Sequence, residues 1–339
     1  MSIRAESVIT QRPKEDPITG ETDVSPEFSV VIPTYNRVAT LARSLEALRH
    51  ARASWRWEVI VVIDGSTDET ESYLQQLNFP CPLTAVLQPN SGAGAARNHG
   101  ASRARGLFIL FLDDDMTVDD NLLVEHHKVL TQGADAVVGD MPVHPDTPPS
   151  LLRAGVERWA RKRRVRLERT KGRVTPDDFL TGQLSVRRDA FFAVGGFDVD
   201  FNANGTFGGE DVDFLHRFQE AGYKLQYSAA AKSYQRYVVT PEQYLRQWRQ
   251  AGHADARLTR KHPILRDRIV AAHGGKYRST AMTALAGLTP SVAVTVVDRV
   301  FLRTVEAGHT GPAARLSLVA AKKFEYWRGV AESGGYVQH

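Results

Sequence analysis

Four short apolar runs in the first third of the chain, each separated from the next by a polar turn and a segment of helical character, restrict the fold more than any other feature. Residues 28–33 (FSVVIP) are a β-branched run stopped by Pro33, after which Leu41, Leu45 and Leu48 recur at helical spacing. Residues 58–63 (EVIVVI) are the second run, followed by the turn DGSTDET and a helical segment over about 68–77. Residues 83–87 are the third, and the NSGAGAARNHGASRARG that follows reads as a small-residue loop entering a helix. Residues 107–112 are the fourth. Strands this uniformly apolar are covered on both faces, and the alternation predicts an α/β fold with a mainly parallel sheet flanked by helices. Ligands of such sheets collect at the C-terminal ends of the strands. Thr34, Tyr35 and Asn36 fall there, as do Asp64 and the triplet Asp113, Asp114 and Asp115.

The triplet directly follows the fourth run, in LFILFLDDDM, and a second acidic group, Glu210 and Asp211, follows two glycines in FGGEDVDF. Carboxylates this close repel one another unless a cation or a bound proton neutralises them. On an extended strand end, residues two apart share a side, so Asp113 and Asp115 are expected to share a ligand. Their hard oxygens suit Mg²⁺ or Mn²⁺; the plainer reading is a cap on the next helix. Glu210 and Asp211 open an amphipathic segment, where a carboxylate takes the proton of an attacking hydroxyl or simply stabilises a helix N-terminus. Gly208 and Gly209 permit close backbone approach. Asp64 is placed either to accept an N–H from a planar base, with Tyr35 over the base face, or to cap the following turn. The loop before Arg97 offers helix N-terminal amides to an anion. Arg97 and Asn98 are ligands there or props for the loop.

Beyond Ala134 the pattern changes: ADAVVGDMPV and FLTGQLSV read as further strands, and the chain after Pro241 as mostly helical, with Thr240 and Pro241 as a helix start. Residues 1–27 are polar, without a signal-peptide core, and are expected to be a flexible leader. The chain has a single cysteine, Cys81, which excludes an intramolecular disulfide and fits a reducing, cytoplasmic setting. The net charge of +4 is unevenly distributed, because residues 153–173 hold ten Lys or Arg against two Glu. That block is a solvated helix face, a contact for anionic lipid headgroups at a membrane surface, or a clamp for a phosphorylated acceptor. It has one aromatic residue, Trp159, and no nucleic-acid-binding motif, so a nucleic-acid partner is not expected. The apolar stretch 282–302 is broken by Pro290, Asp298 and Arg299 and reads as a core or membrane-surface helix rather than a span.

Five ordered segments, VVIPTYNR, VIDGSTDET, NSGAGAARNHG, FLDDDM and GGFD…GGEDVDF, resemble the inverting family 2 glycosyltransferases, which have the GT-A fold. The resemblance runs over about residues 28–263. It implies a nucleotide-sugar-binding half over 28–130, an acceptor-binding half over 131–240 and a helical C-terminal extension over 241–339. The implied activity moves one sugar from a nucleotide-diphosphate donor, usually UDP-linked, to a hydroxyl of a small molecule, lipid-linked glycan or protein. The donor then lies against Pro33, Thr34, Tyr35, Asp64, Arg97, Asp113, Asp114, Gly208 and Gly209. Asp115, with Asp113, holds Mn²⁺ or Mg²⁺; Asp211 is the base and Glu210 binds hydroxyls. The chain departs from the family pattern at Ile63, where a further aspartate is common, at Gln183 in place of asparagine, and at Gln235 in place of a metal-binding histidine, for which His216 or His253 are alternatives. Trp248 lies in RQWRQ rather than in the order found in processive synthases, which favours single-sugar transfer. A non-catalytic sugar-nucleotide-binding protein or scaffold is the alternative. A sugar nucleotidyltransferase fits less well, since VVIPTYNR lacks the glycine-rich signature with a basic residue near the first strand.

Overall fold

The computed structural model describes residues 8–11, 25–176, 178–201, 208–273 and 291–335. Its strands are β1 (Val8–Gln11), β2 (Phe28–Thr34), β3 (Trp57–Asp64), β4 (Leu83–Gln88), β5 (Phe108–Leu112), β6 (Met116–Val118), β7 (Ala136–Asp140), β8 (Gln183–Arg187) and β9 (Leu225–Gln235). Its helices are α1 (Val38–Arg49), α2 (Thr70–Gln76), α3 (Ala93–Arg103), α4 (Leu122–Thr131), α5 (Leu151–Arg169), α6 (Arg188–Ala193), α7 (Glu210–Glu220), α8 (Pro241–Lys261), α9 (Arg266–His273), α10 (Ser291–Glu306) and α11 (Pro312–Glu332).

The strands form one sheet in the order β1-β4-β3-β2-β5-β8-β7-β9-β6. It is parallel across β4-β3-β2-β5 and mixed beyond, where β8 runs antiparallel to both β5 and β7. The alternation of β-branched residues explains why helices cover both faces. Val30 and Ile32 of β2, with Val59, Val61 and Ile63 of β3, enter one core with Leu41, Leu45 and Leu48 of α1 and Leu74 of α2. Their neighbours Val31, Ile60 and Val62 enter the opposite core with Ala96 and Ala101 of α3 and Phe214, Leu215 and Phe218 of α7. The two sequence halves, 28–130 and 131–240, therefore share a single sheet through the pairing of β5 with β8. Within the expected leader, Val8–Gln11 adds an antiparallel edge strand to β4.

The described residues of 1–145, 160–205 and 210–236 make one compact unit, and those of 146–159, 206–209 and 237–339 a second. In the second unit α8 starts at a capping box: Gln243 N donates to Thr240 Oγ1 at 3.2 Å and Thr240 N donates to Gln243 Oε1 at 2.8 Å. Gly252 and Gly329 let α8 and α11 touch backbone to backbone, since a Cβ at Gly329 would lie 2.0 Å from the Arg249 carbonyl oxygen. Of the apolar stretch 282–302, residues 282–290 lie outside the described residues; the remainder is in α10, where Phe301 is fully buried. No helix among the described residues is long and apolar enough to cross a membrane.

Helix α3 carries Arg97 and lies close on the sheet at Gly100, where a Cβ would sit 2.3 Å from Val31 Cγ1 and 3.0 Å from Val62 Cγ2. Gly100→Ala is accordingly expected to cost about 1–3 kcal/mol in urea unfolding. In a Val31→Ala background the same change should cost measurably less, which a double-mutant cycle would read.

Candidate active site

The C-terminal ends of β2, β3 and β5 lie side by side in the parallel part of the sheet, which brings the strand-end groups together. At the end of β2, Thr34 is buried while Tyr35 is 48% exposed, so the ring is free to cover a flat ligand. Asn36 takes a left-handed φ of 52°. Its amide N donates to Ser66 Oγ at 2.9 Å and its Oδ1 accepts from Thr67 N at 2.7 Å, which ties the loops after β2 and β3 together.

Asp64, at the end of β3, is buried. Its Oδ1 accepts from Gln88 Nε2 at 2.7 Å and Ser91 N at 2.8 Å, and its Oδ2 from Gly92 N at 2.9 Å. These bonds set the loop that leads into α3. These partners lie at the end of β4 and in the loop after it rather than in the turn that follows Asp64, and Oδ2 keeps a lone pair for a ligand. Gly65 belongs to the same device, since its φ is 76° and a Cβ there would lie 2.7 Å from Asn90 N.

The sequence placed the aspartate triplet on an extended strand end, and here the structure differs. Strand β5 ends at Leu112, and Asp113–Asp115 form a turn closed by Met116 N donating to Asp113 O at 3.2 Å. The three carboxylates consequently diverge. Asp114 faces β2, accepting from Thr34 Oγ1 at 2.8 Å and Arg37 Nη1 at 2.9 Å. Asp113 Oδ1 accepts from Arg97 Nη2 at 2.7 Å. Asp115 Oδ2 accepts from Gln235 Nε2 at 3.3 Å.

Arg97 joins the two acidic groups. It is buried, with Nη2 on Asp113 and Nη1 donating to Glu210 Oε1 at 3.2 Å, and its guanidinium lies 5.8 Å from the Phe197 ring centre. Burial opposes its charge, but Asp113 and Glu210 outweigh that and hold its pKa above the ordinary arginine value. Asn98 is a prop: its Nδ2 donates to Phe197 O at 2.8 Å, and its Oδ1 accepts from Phe197 N at 2.9 Å. Glu210 and Asp211 open α7, preceded by Gly208 and Gly209 with φ of 93° and 94°. Burial, reinforced by Glu210, pushes the Asp211 carboxyl up to about 7.

Asp115 is likewise pushed up to about 7, by burial and then by Asp113 and Asp114. Its Oδ1 is buried without a hydrogen-bond donor. An orphaned carboxylate oxygen in a negative field fits a hard divalent cation, and Asp113 is the carboxylate whose charge acts most strongly on it. Among the described residues no group of three His, Cys, Asp or Glu side chains closes around such an ion. Gln235 is the neutral side chain that reaches Asp115, whereas His216 pairs with Glu220 at 3.4 Å and the ring of His253 is engaged by Ser333 and Glu332. Gln183 is fully buried among His126, Ser233 and the Ala231 carbonyl rather than lining an open face.

Three partners were missed from sequence: Arg37 on Asp114, Gln88 on Asp64, and Glu210 on Arg97. Arg37 and Glu210 lay in the segments VVIPTYNR and GGEDVDF, and the missing signal was their pairing across the chain, whereas Gln88 lay outside all five segments.

The family description "Glycosyl transferase family 2" matches residues 29–192, and "N-terminal domain of galactosyltransferase" matches residues 161–241. The validoxylamine A glucosyltransferase of Streptomyces hygroscopicus subsp. limoneus is 30% identical over 63% of this chain and 52% of its own length. The pre-mycofactocin glycosyltransferase of Mycobacterium tuberculosis (strain ATCC 25618 / H37Rv) is 29% identical over 89% of this chain and 65% of its own. The chain thus spans about half to two thirds of the length of these curated relatives. A mannosyltransferase of Pyrobaculum calidifontis, solved with GDP-Man and Mn²⁺, shares the fold at a TM-score of 0.60 and 19% identity, covering 94% of this chain and 90% of that one. Residues 29–192 thus match family 2 of the glycosyltransferases, and the chain has the GT-A fold expected from its five segments.

Two outcomes follow from the charges. Arg97→Met would leave Asp113 and Glu210 without their shared counter-charge and is expected to destabilise the fold by about 3–5 kcal/mol in urea unfolding. Asp211 keeps its proton in the folded state up to about 7, against 3.8 as the ordinary value, so its contribution is full below pH ~4 and is lost as pH rises through 7. Asp211→Asn should therefore raise the melting temperature at pH 8 by a few degrees and leave it nearly unchanged at pH 4.

Proposed function

We propose that the protein is a metal-dependent, inverting hexosyltransferase that moves one sugar from a nucleotide-diphosphate donor, UDP-linked, to an acceptor hydroxyl. The observation that carries this reading is the Arg97 bridge. It fastens Asp113, beside the unsatisfied Asp115, to Glu210, beside the proton-holding Asp211. Acids suited to a diphosphate-bound cation and acids suited to proton removal thereby flank one buried cation.

In this reading Pro33, Thr34 and Tyr35 form the nucleotide end, with Tyr35 stacked on the base and Asp64 holding the loop beside it. Asp114 lies at the nucleotide end with them, each of its oxygens accepting one hydrogen bond, from Thr34 and from Arg37. Asp115 and Asp113 would hold Mn²⁺ or Mg²⁺, whose charge would stabilise the departing nucleotide diphosphate. Gly208 and Gly209 admit the sugar close to the backbone, and Glu210 binds hydroxyls. Asp211 takes the proton of the acceptor hydroxyl as its oxygen bonds to the anomeric carbon. The bond from that carbon to the diphosphate oxygen breaks on the opposite side, and the bonding pair leaves with the nucleotide diphosphate. A single displacement of this kind inverts the anomeric centre. A UDP-linked glucose is the first donor to test, because a relative at 30% identity is named a glucosyltransferase.

Calorimetric titration of UDP, GDP, dTDP and CDP, with and without Mn²⁺, tests the donor assignment. Metal-dependent binding of UDP is expected; binding of none would favour a non-catalytic scaffold. Asp115→Ala should weaken metal-dependent nucleotide binding at least tenfold, and unchanged affinity would remove its metal role. Asp211→Asn should lower donor-saturated transfer by about 10²–10⁴-fold with nucleotide affinity retained. In the wild type, the same rate should fall about tenfold per pH unit below about 7, as Asp211 takes up its proton.

A further inference from the structure

The basic segment is divided by α5 into an inner and an outer set, and only the inner set is consumed by the fold. Arg163 is buried, its Nε donating to Asp178 O at 2.6 Å and its Nη1 to Gly139 O at 3.1 Å, and Leu167 beside it is fully buried. Arg166 pairs with the buried Asp178, and Arg164 with Asp140 at 3.4 Å and Glu168 at 2.9 Å. These contacts fix the rotation of the helix. Arg161, Lys162, Val165 and Arg169 then fall within an arc of about 100° on the side away from Arg163 and Leu167, along about 12 Å of the axis. Arg161, Lys162 and Arg169 are exposed and have no acidic partner among the described residues, as holds also for Lys171 and Arg173 in the turn that follows. Val165, between them, is 41% exposed. A shallow groove of about 470 Å³ runs along this face.

We propose that this outer face of α5 is a docking surface for an anionic lipid bilayer. The cations are spread along the helix rather than converged on a point, so they complement a plane of phosphates better than a single one. Val165 and the aliphatic stems of Arg161, Lys162 and Arg169 give the face an apolar component that a headgroup boundary accommodates and water does not. The surface is independent of the residues assigned to transfer.

The test uses the full chain and vesicles of phosphatidylcholine alone or doped with phosphatidylglycerol. Co-sedimentation with the doped vesicles alone, lost at high salt, is expected. The variant Arg161→Glu/Lys162→Glu/Arg169→Glu should partition at least tenfold more weakly while keeping its melting temperature and nucleotide affinity. The charge-matched Arg43→Glu/Lys128→Glu/Arg315→Glu should bind vesicles like the wild type. Equal binding to both vesicle types, no loss in the α5 variant, or an equal loss in the matched control would overturn the proposal. Tighter binding of soluble inositol hexakisphosphate than of the doped vesicles at equal phosphate concentration would also overturn it, pointing to a phosphorylated soluble ligand instead.

Discussion

A guanidinium buried between two carboxylates depends on both partners to hold it, and Arg97 has Asp113 on one side and Glu210 on the other, while its Nε is buried without an acceptor. Removing water from Arg97 and Glu210 is costly. The Coulombic return is specific because the two acids come from segments almost a hundred residues apart. Much of the site follows from this contact. It holds the turn after β5 against the start of α7, where burial, and then the charges of Asp113, Asp114 and Glu210, raise the pKa values of Asp115 and Asp211.

The sheet supplies the frame for that arrangement. Parallel strands deliver their C-terminal ends to one edge, so groups from β2, β3 and β5 meet without any special folding of the loops. Close approach is then secured by the absence of side chains at Gly65 and Gly100. Each has a neighbour where a Cβ would have to be, and each presses a loop or helix onto the strand ends.

Much of this was legible in the sequence because it is local. β-branched runs give strands, leucines at helical spacing give α1, and Thr240 with Pro241 gives the start of α8. The acids are at strand and helix ends because the runs end there. What could not be read was partnership across the chain. Nothing local says that Asp64 holds the loop of Ser91 and Gly92, or that Asp114 turns back to Thr34 while Asp113 turns to Arg97. The extended-strand reading of the triplet failed because the ladder stops at Leu112, after which a turn hydrogen bond sets the side-chain directions. The basic segment was misleading in a similar way. Composition counts charges but does not see Asp178 and Asp140 approaching from elsewhere to neutralise the inner ones.

Helix α3 is held at two places that serve different ends of the site. Its entry loop is gripped by Asp64, and one turn further along it projects Arg97 between the acids. A helix is stiff along its axis, and one residue of rotation is about 100°. The loop beside the nucleotide end and the cation between the two acidic groups are thus mounted on a single rigid shaft. An insertion or deletion of one residue between Gly92 and Arg97 would leave every strand of the sheet intact and still turn the guanidinium away from both its partners, so this short interval is measured by angle rather than by length.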